Sequence, residues 1–508
     1  MTKRARGRRG APTTADGLIR FFPNDPGAGL GPIDVPPPTP VPGEPPYVIE
    51  GRRYAPAPYV PGTVAFQQWQ GEASLARTIR AWEEFFDRDF DAWHSGRPLR
   101  VRLRAGRDLN AFYDRKSLQF FYDTDRVSGR AVYAAESLDV VAHEAGHAIL
   151  DVYQPGYWSL PDSETAAFHE AFGDCSAILV TLGEPSVRLA FLEEAGRALR
   201  ASNLVSKLAE ALGRAIYDNY GPGSLADPTR LRDANNRFRY AAPEELPASG
   251  SDDTLASEPH SFSRVFTGAF YHLLIELLAA GLRESKGAET VEVVRRRAGR
   301  FLARAVETSP PGEARVAAYA ARMLDIDAAE TGGAAAGAIR RAFARHGVRL
   351  PRGAKERERY TALRALDPDL PGGGTALRAA LGLPGRARLE RLSWKARVGG
   401  GVREQHVHRH FVETRPSKSA RSVAPKIVVE VVCGCTLTRG PRGDVEGMTL
   451  IQRRDPTARD VARWLRPWIR RGAIAWGDEA TKSPSTLFRG RKVFRVGAGG
   501  LLERVYAD

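Results

Sequence analysis

The sequence predicts an α+β protein: a mixed, β-containing N-terminal part, a long helical part, and a small separate α+β part at the C-terminal end. Three observations point there. Segments such as "LRVRLRAG" (99–106) and "SLQFFYD" (117–123) alternate apolar and polar residues, as half-buried strands do. From about 137 to 346 the apolar residues recur at helical intervals instead. After 386, alternating runs such as "KIVVEVV" and "RKVFRV" return, with one helical stretch and a Gly-turn hairpin, "RVGAGGLLERV". At 508 residues the chain exceeds one ordinary core, so several units are expected.

In chain order, residues 31–62 hold prolines at a density that excludes helix and central strand, so 1–62 reads as a tail or a strap across the surface. Residues 63–155 form a mixed lobe, with helical periodicity over 76–94 and strands near 99–106 and 117–123. Residues 156–348 form a helical lobe. Helices are expected over 137–153, 163–182, 186–200, 203–219, 260–284, 290–307 and 314–346, with Ser137 and Ser163 as N-caps of the first two. A Gly-, Pro- and charge-rich linker with one short helix spans 349–385, and 386–508 is a basic α+β domain whose helix lies near "ARDVARWLRPWIRR".

Charge is unevenly placed. Of the net +15, residues 351–508 carry 32 of the 75 Lys+Arg but only 16 of the 60 Asp+Glu, so the basic character belongs to the last third. The Arg surplus with Trp464 and Trp468 would suit a polyanion or an assembly, yet no nucleic-acid fold signature accompanies it, and an Arg-rich solvated face is the plainer account. His406, His408 and His410 share one side of a strand, which is more often plain surface than a metal site. Cys175, Cys433 and Cys435 cannot form a disulfide framework and read as small buried residues in a reducing compartment. No run of 18 apolar residues suggests a membrane span, and the basic N-terminus is not followed by an apolar signal region. The expected location is the cytoplasm, or outside the cell by a non-Sec route.

The stretch "VVAHEAGHAI" carries the chemistry. Residues i and i+4 share a helix face, so His143 and His147 can aim at one ion with Glu144 beside them as a general base. Two imidazoles and Gly146 in an apolar helix cost propensity and desolvation, a cost that a ligand role explains. A catalytic zinc needs a third protein ligand and an open position. The next helical stretch, "SETAAFHEAFGDCSAILV", offers Glu170 among apolar neighbours as that ligand, and Asp174 one turn on as a partner orienting a ligand histidine. His169 reads as a satisfied or exposed histidine.

These residues resemble the thermolysin-like metallopeptidases of the gluzincin group. "DVVAHEAGHA" with "HEAFGD" is similar to that family's paired ligand helices; "NAFYD" (110–114) to its edge-strand segment; "RLRDAN" (230–235) to its arginine segment; and "PHSFSRVFTGAFY" (259–271) to the helix that opens with its catalytic histidine. The resemblance covers about residues 100–346. It implies a two-lobe fold with a cleft between lobes, one zinc on His143, His147 and Glu170, Glu144 as base, and Asp174 behind the ligands. It also implies His260 as transition-state stabiliser, Arg232 as donor to a substrate carbonyl, Asn110 and Ala111 on the substrate backbone, and Val140 and Leu231 in an apolar pocket for the residue after the scissile bond. Tyr157 stands for the family's second oxyanion donor.

Departures are visible too. The family's Gly-Gly before the catalytic histidine is "SEP" here, which leaves Asp252, Asp253 or Glu258 to orient His260. "CSAILVTLGEP" after Glu170 offers almost no oxygen ligands, so calcium is not expected. The function implied is zinc-dependent endopeptidase action on a protein or peptide. The competing reading is a catalytically weak scaffold that binds or targets through the basic C-terminal domain. An aminopeptidase is disfavoured, since no G-x-M-E-N-like amine-binding motif is present.

Overall fold

The structure is a computed structural model describing residues 17–39, 47–90, 92–158, 163–221, 226–247, 249–309, 314–350, 367–395, 402–415, 426–439, 445–450, 457–470, 472, 474–482, 492 and 494–504. The architecture is mixed α+β, with eleven α-helices and several small sheets among the described residues.

The Pro-rich N-terminal segment is woven into the body. Strands β1 (Ile19–Phe21) and β2 (Ile33–Val35) pair antiparallel. Ile19 and Phe21 are fully buried in one apolar cluster with Trp69, Ala73, Leu138 and Ala142. Strand β3 (Tyr47–Ile49) adds to the edge of a sheet. Helix α1 (Val64–Phe86) starts twelve residues before the stretch whose periodicity announces it, capped by the Thr63 hydroxyl. Its first turns hide in the sequence because they bury glutamines: Gln70 takes the Phe22 N–H (2.8 Å) and donates to the Phe22 carbonyl (3.1 Å), holding the N-terminal segment as a strand neighbour would.

Strands β4 (Leu99–Arg102), β5 (Ala111–Tyr113) and β6 (Ser117–Phe120) complete that sheet in the order β3-β4-β6-β5, the first two pairings parallel and the last antiparallel. Strand β5 is therefore an edge. Strands β7 (Tyr122–Thr124) and β8 (Ala131–Tyr133) form a separate hairpin.

Helices α2 (Leu138–Tyr153) and α3 (Ser163–Thr181) cross the core side by side. Ser137 caps α2 by accepting the Val140 N–H, whereas Ser163 is itself the first residue of α3. Every residue of α3 is buried, polar ones included. Two glycines set the approach of this pair. A Cβ on Gly146 would stand 2.9 Å from the Ser176 Cβ, and one on Gly173 would stand 2.7 Å from the His143 ring. Ser176 bridges the contact, donating to the Ala142 carbonyl (2.7 Å) and accepting from the Trp82 indole (2.9 Å).

Helix α4 (Pro185–Ala198) follows. The helix expected over 203–219 is shorter: 207–208 form strand β9 (Lys207–Leu208), and Ala209 turns left-handed (φ 51°) before α5 (Glu210–Tyr220). Strand β10 (Arg232–Asp233) pairs with β9, setting Arg232 opposite Leu208. Helix α6 (Pro259–Glu284) is long and apolar enough to cross a membrane, but 72% of its most apolar stretch is buried inside the protein. After α7 (Ala288–Thr308), the helix expected over 314–346 is two, α8 (Val316–Thr331) and α9 (Ala336–Arg345), parted where Gly332 and Gly333 adopt φ of 69° and 89°.

In the C-terminal part, α10 (Gly373–Ala380) precedes an antiparallel sheet of β11 (Glu390–Lys395), β12 (Val402–Thr414), β13 (Ile427–Arg439) and β14 (Val445–Leu450). Helix α11 (Ala458–Arg470) and strands β15 (Ile474–Ala475), β16 (Phe494–Val496) and β17 (Leu502–Arg504) follow. Its own core contains Leu377, Leu381, Val429, Leu437, Leu465 and Phe494. His406 is buried against Glu404 (3.3 Å), while the rings of His408 and His410 stack on each other. The side chains of Cys433, Trp464 and Trp468, and residues 351–366 of the expected linker, lie outside the described residues.

Candidate metal centre

Helix α2 places His143 and His147 one turn apart; α3 places Glu170 and Asp174 one turn apart on the facing side, and the two glycines let the pairs meet. The Nε2 atoms of His143 and His147 lie 3.1 Å apart. The Glu170 carboxylate is 3.5 Å from His143 Nε2 and 3.7 Å from His147 Nε2. His143, Glu144 and His147 form a buried group whose donor atoms lie within 4.8 Å of one another, able to hold a metal ion.

The backs of both imidazoles are held. His143 Nδ1 is 3.2 Å from Asp174, whose other oxygen accepts from the Thr267 hydroxyl (3.0 Å). His147 Nδ1 lies 2.9 Å from Nδ1 of His169, so His169 belongs to the site and is only 3% exposed. Arg232 pairs with Asp174 (3.2 Å) and approaches Glu170 (3.7 Å). His260 opens α6 with Nε2 3.1 Å from Glu170, and its Nδ1 meets Glu258 at 2.6 Å. Of the three acids that could orient His260, Glu258 does so. The same carboxylate caps α6 by accepting the His260 and Ser261 N–H groups (2.9 and 2.8 Å).

A cavity of about 440 Å³ opens on these groups. Asn110 and Ala111 line it from the β5 edge; Val140, Leu208, Leu212, Ile216 and Leu231 give it an aliphatic wall, and Arg232, His260 and His169 also face it. Tyr157 does not. Its ring is fully buried, and its hydroxyl meets that of Tyr319 (3.0 Å). The short turn Pro155–Tyr157 after α2 directs Tyr157 inward and Trp158 to the cavity, so Tyr157 does not present the oxyanion donor expected of it.

Burial dominates the electrostatics. It raises Glu144 to about 7, with Glu170 adding to the rise and His143 opposing it. Burial opposes the charged form of His143 too, but its hydrogen bonds to the Asp174 and Glu170 carboxylates outweigh it and lift the group to about 10. Burial lowers His147 well below its ordinary value and His169 to about 4. Glu170 is held well below the carboxylate range, against burial, by His260, His147 and His143. His260 is raised, against burial, by Glu170 and Glu258.

A second group able to hold a cation stands apart from the first: Asp25, Asp139 and Glu210, all buried, with oxygens within 4.8 Å of one another. Asp25 Oδ1 accepts from Gly27 (2.6 Å) and Ala211 (2.9 Å), and Asp139 accepts from Ala209 (2.7 Å). Burial raises Asp25 to about 7 and Glu210 to about 10. These oxygens come from the N-terminal segment, α2 and α5 and not from the segment following Glu170, and no local sequence pattern connects them.

No family model matches the chain, and no curated protein matches it. Among solved structures it is similar to the precursor of protealysin, a metalloproteinase from Serratia proteamaculans, over 67% of this chain and 91% of that one, with a TM-score of 0.38 and 16% identity. A likeness this distant assigns no residue a role.

Proposed function

We propose that the chain is a zinc-dependent endopeptidase of the thermolysin-like kind, in which His143, His147 and Glu170 are the metal ligands, Glu144 is the general base and His260 stabilises the oxyanion. One observation carries the reading. Ligands at about 2.0–2.1 Å in a tetrahedron stand roughly 3.4 Å from each other; the two imidazole Nε2 atoms lie 3.1 Å apart, with Glu170 Oε2 3.5 Å from that of His143 and Glu170 Oε1 3.7 Å from that of His147. Two imidazoles and one carboxylate are a donor set suited to zinc that leaves one position open. A metal bound there would polarise a carbonyl and acidify water.

The chain's own residues supply the rest. Glu144, brought close to neutrality by burial, takes a proton from water and delivers it to the departing amine. His260, anchored through Nδ1 by Glu258, donates from Nε2 to the oxygen that gains charge as the carbonyl becomes tetrahedral. With Tyr157 turned into the core, it is the side-chain donor we assign to that oxygen. The β5 edge offers an extended peptide a strand to pair with, and Arg232 reaches a carbonyl beyond the cut. The aliphatic wall around Val140 and Leu231 favours an apolar residue after the scissile bond.

The test is metal analysis joined to a peptide-library cleavage profile. The expected result is one zinc per chain and cuts before apolar residues, including in blocked peptides. Intact substrate under zinc-replete conditions would overturn the reading and favour a binding scaffold.

A further inference from the structure

We propose that Arg264 is a positioning residue for His260, latching the segment that carries Glu258 onto the first turn of α6; this rests on the reading of His260 as the oxyanion donor. Between the turn Pro243–Glu245 and α6, the described residues of 246–258 form no helix or strand. Glu258 ends that segment, so the carboxylate that holds His260 stands on irregular chain. Its path is not fixed by the bonds of a ladder or a helix and has to be fixed by side chains.

Arg264 lies one turn after His260 on α6, and its guanidinium reaches back over that turn. Nη1 donates to the Asp252 carbonyl, Nη2 to the Thr254 carbonyl (2.8 Å) and Nε to the Ser261 carbonyl (3.1 Å). Nη2 also donates to the Ser261 hydroxyl (2.6 Å), which accepts the Ala256 N–H (2.9 Å) and meets the Thr254 carbonyl (3.2 Å). One cation thus ties residues 252–256 to the helix start on which His260 sits. The centre of the Phe238 ring lies 4.0 Å from the guanidinium carbon, and the Asn236 amide donates to the Arg264 carbonyl (3.0 Å). Arg264 therefore also joins this segment to the one that follows Arg232.

The position is an expensive one for a charge. Arg264 is 5% exposed, and the carboxylate it pairs with, Asp252, stands 3.5 Å away. Burial lowers it to about 10, opposed by Asp252 and Glu258, so it stays charged at neutral pH. Carbonyl oxygens placed around a planar fork of donors compensate for the lost water. An apolar side chain would fill the space without that desolvation; what the guanidinium adds is a fixed course for the chain that leads to Glu258.

Full-length wild type, Arg264→Met and Arg264→Lys are compared on a blocked fluorogenic peptide, alone and in a His260→Ala background, with zinc content and amide hydrogen exchange measured for each. Methionine keeps the bulk of the stem and removes the donors; lysine keeps the charge without the fork. We expect Arg264→Met to lower kcat about 10- to 100-fold with KM within about threefold and zinc content unchanged, and Arg264→Lys to fall between it and wild type. In the His260→Ala background, Arg264→Met should cost no more than about twofold further, because the residue through which it acts is gone. Exchange should quicken over 252–261 and not in α2 or α3. A wild-type kcat in Arg264→Met, an undiminished loss in the His260→Ala background, or exchange raised evenly along the chain would overturn the assignment. If Arg264→Met does not fold, the same cycle run with Arg264→Lys decides. Wild type that binds no zinc, or binds it and cuts nothing, would sink the reading of the site instead, and the exchange map would still decide whether Arg264 holds the Glu258 segment.

Discussion

Glu144 sits among groups that pull it both ways: burial and Glu170 favour its neutral form, His143, Arg232 and His260 its charged form. Replacing it by Gln keeps the shape and removes the proposed base. We expect Glu144→Gln to retain zinc and to lose kcat by about three orders of magnitude or more, within the range of general-base catalysis combined with its electrostatic setting; full activity would remove Glu144 from the reaction. Because a base must be ionised, activity should rise with pH through an acidic limb at or below about 7, the metal-free value, since a nearby dication favours the carboxylate. A pH profile of kcat/KM with its acidic limb above 8 would contradict this. His260→Ala should cost about 100- to 1,000-fold in kcat with little change in KM. Glu258→Gln should cost less, since the amide can still meet Nδ1 once the ring adopts the matching tautomer.

At the level of elements, the meeting of α2 and α3 makes the site, and Gly173 is its narrowest point. A methyl group there would collide with the His143 ring at 2.7 Å. Gly173→Ala should therefore weaken zinc binding by roughly tenfold or more, while circular dichroism stays native; unchanged affinity would show that the ring shifts without cost. This geometry was partly legible in the residues themselves, because helical spacing turns sequence intervals into directions: 143 and 147, then 170 and 174, point as pairs. What spacing could not tell was which atoms meet across elements. His169 looked like a bystander because it lies one residue from Glu170, about 100° round the helix, yet a helix buried on every side has no bystander face. The apolar character of α3 was the available signal. Tyr157 failed for the opposite reason: inside a short irregular turn no period applies, and one residue's difference sends a ring into the core instead of the cleft. The buried glutamines of α1 and the split at Gly332 and Gly333 similarly escaped a reading that weighs apolar periodicity above single residues.

Over the whole molecule, Asp25, Asp139 and Glu210 join the N-terminal segment, α2 and α5 through carboxyls that hold protons more tightly folded than unfolded. The contribution of such groups to stability is fully present below the unfolded range near pH 4. It is lost as pH rises through about 7 for Asp25 and towards about 10 for Glu210. Glu210→Gln should accordingly raise the melting temperature by a few degrees at pH 8.5 and change it little at pH 5. If calcium raises the melting temperature of wild type at pH 8.5 but not that of the variant, the three acids serve as a cation site. The manner in which residues 19–35 and 47–49 are built in has its own corollary. Ile19 and Phe21 fill an apolar cluster against α1 and α2, Phe22 exchanges two hydrogen bonds with Gln70, and Tyr47–Ile49 complete a sheet margin. A protease that nicked the chain near residue 50 would not free a detachable leader: the fragment would stay clasped to the remainder, and stripping it off would leave a greasy scar and a frayed sheet.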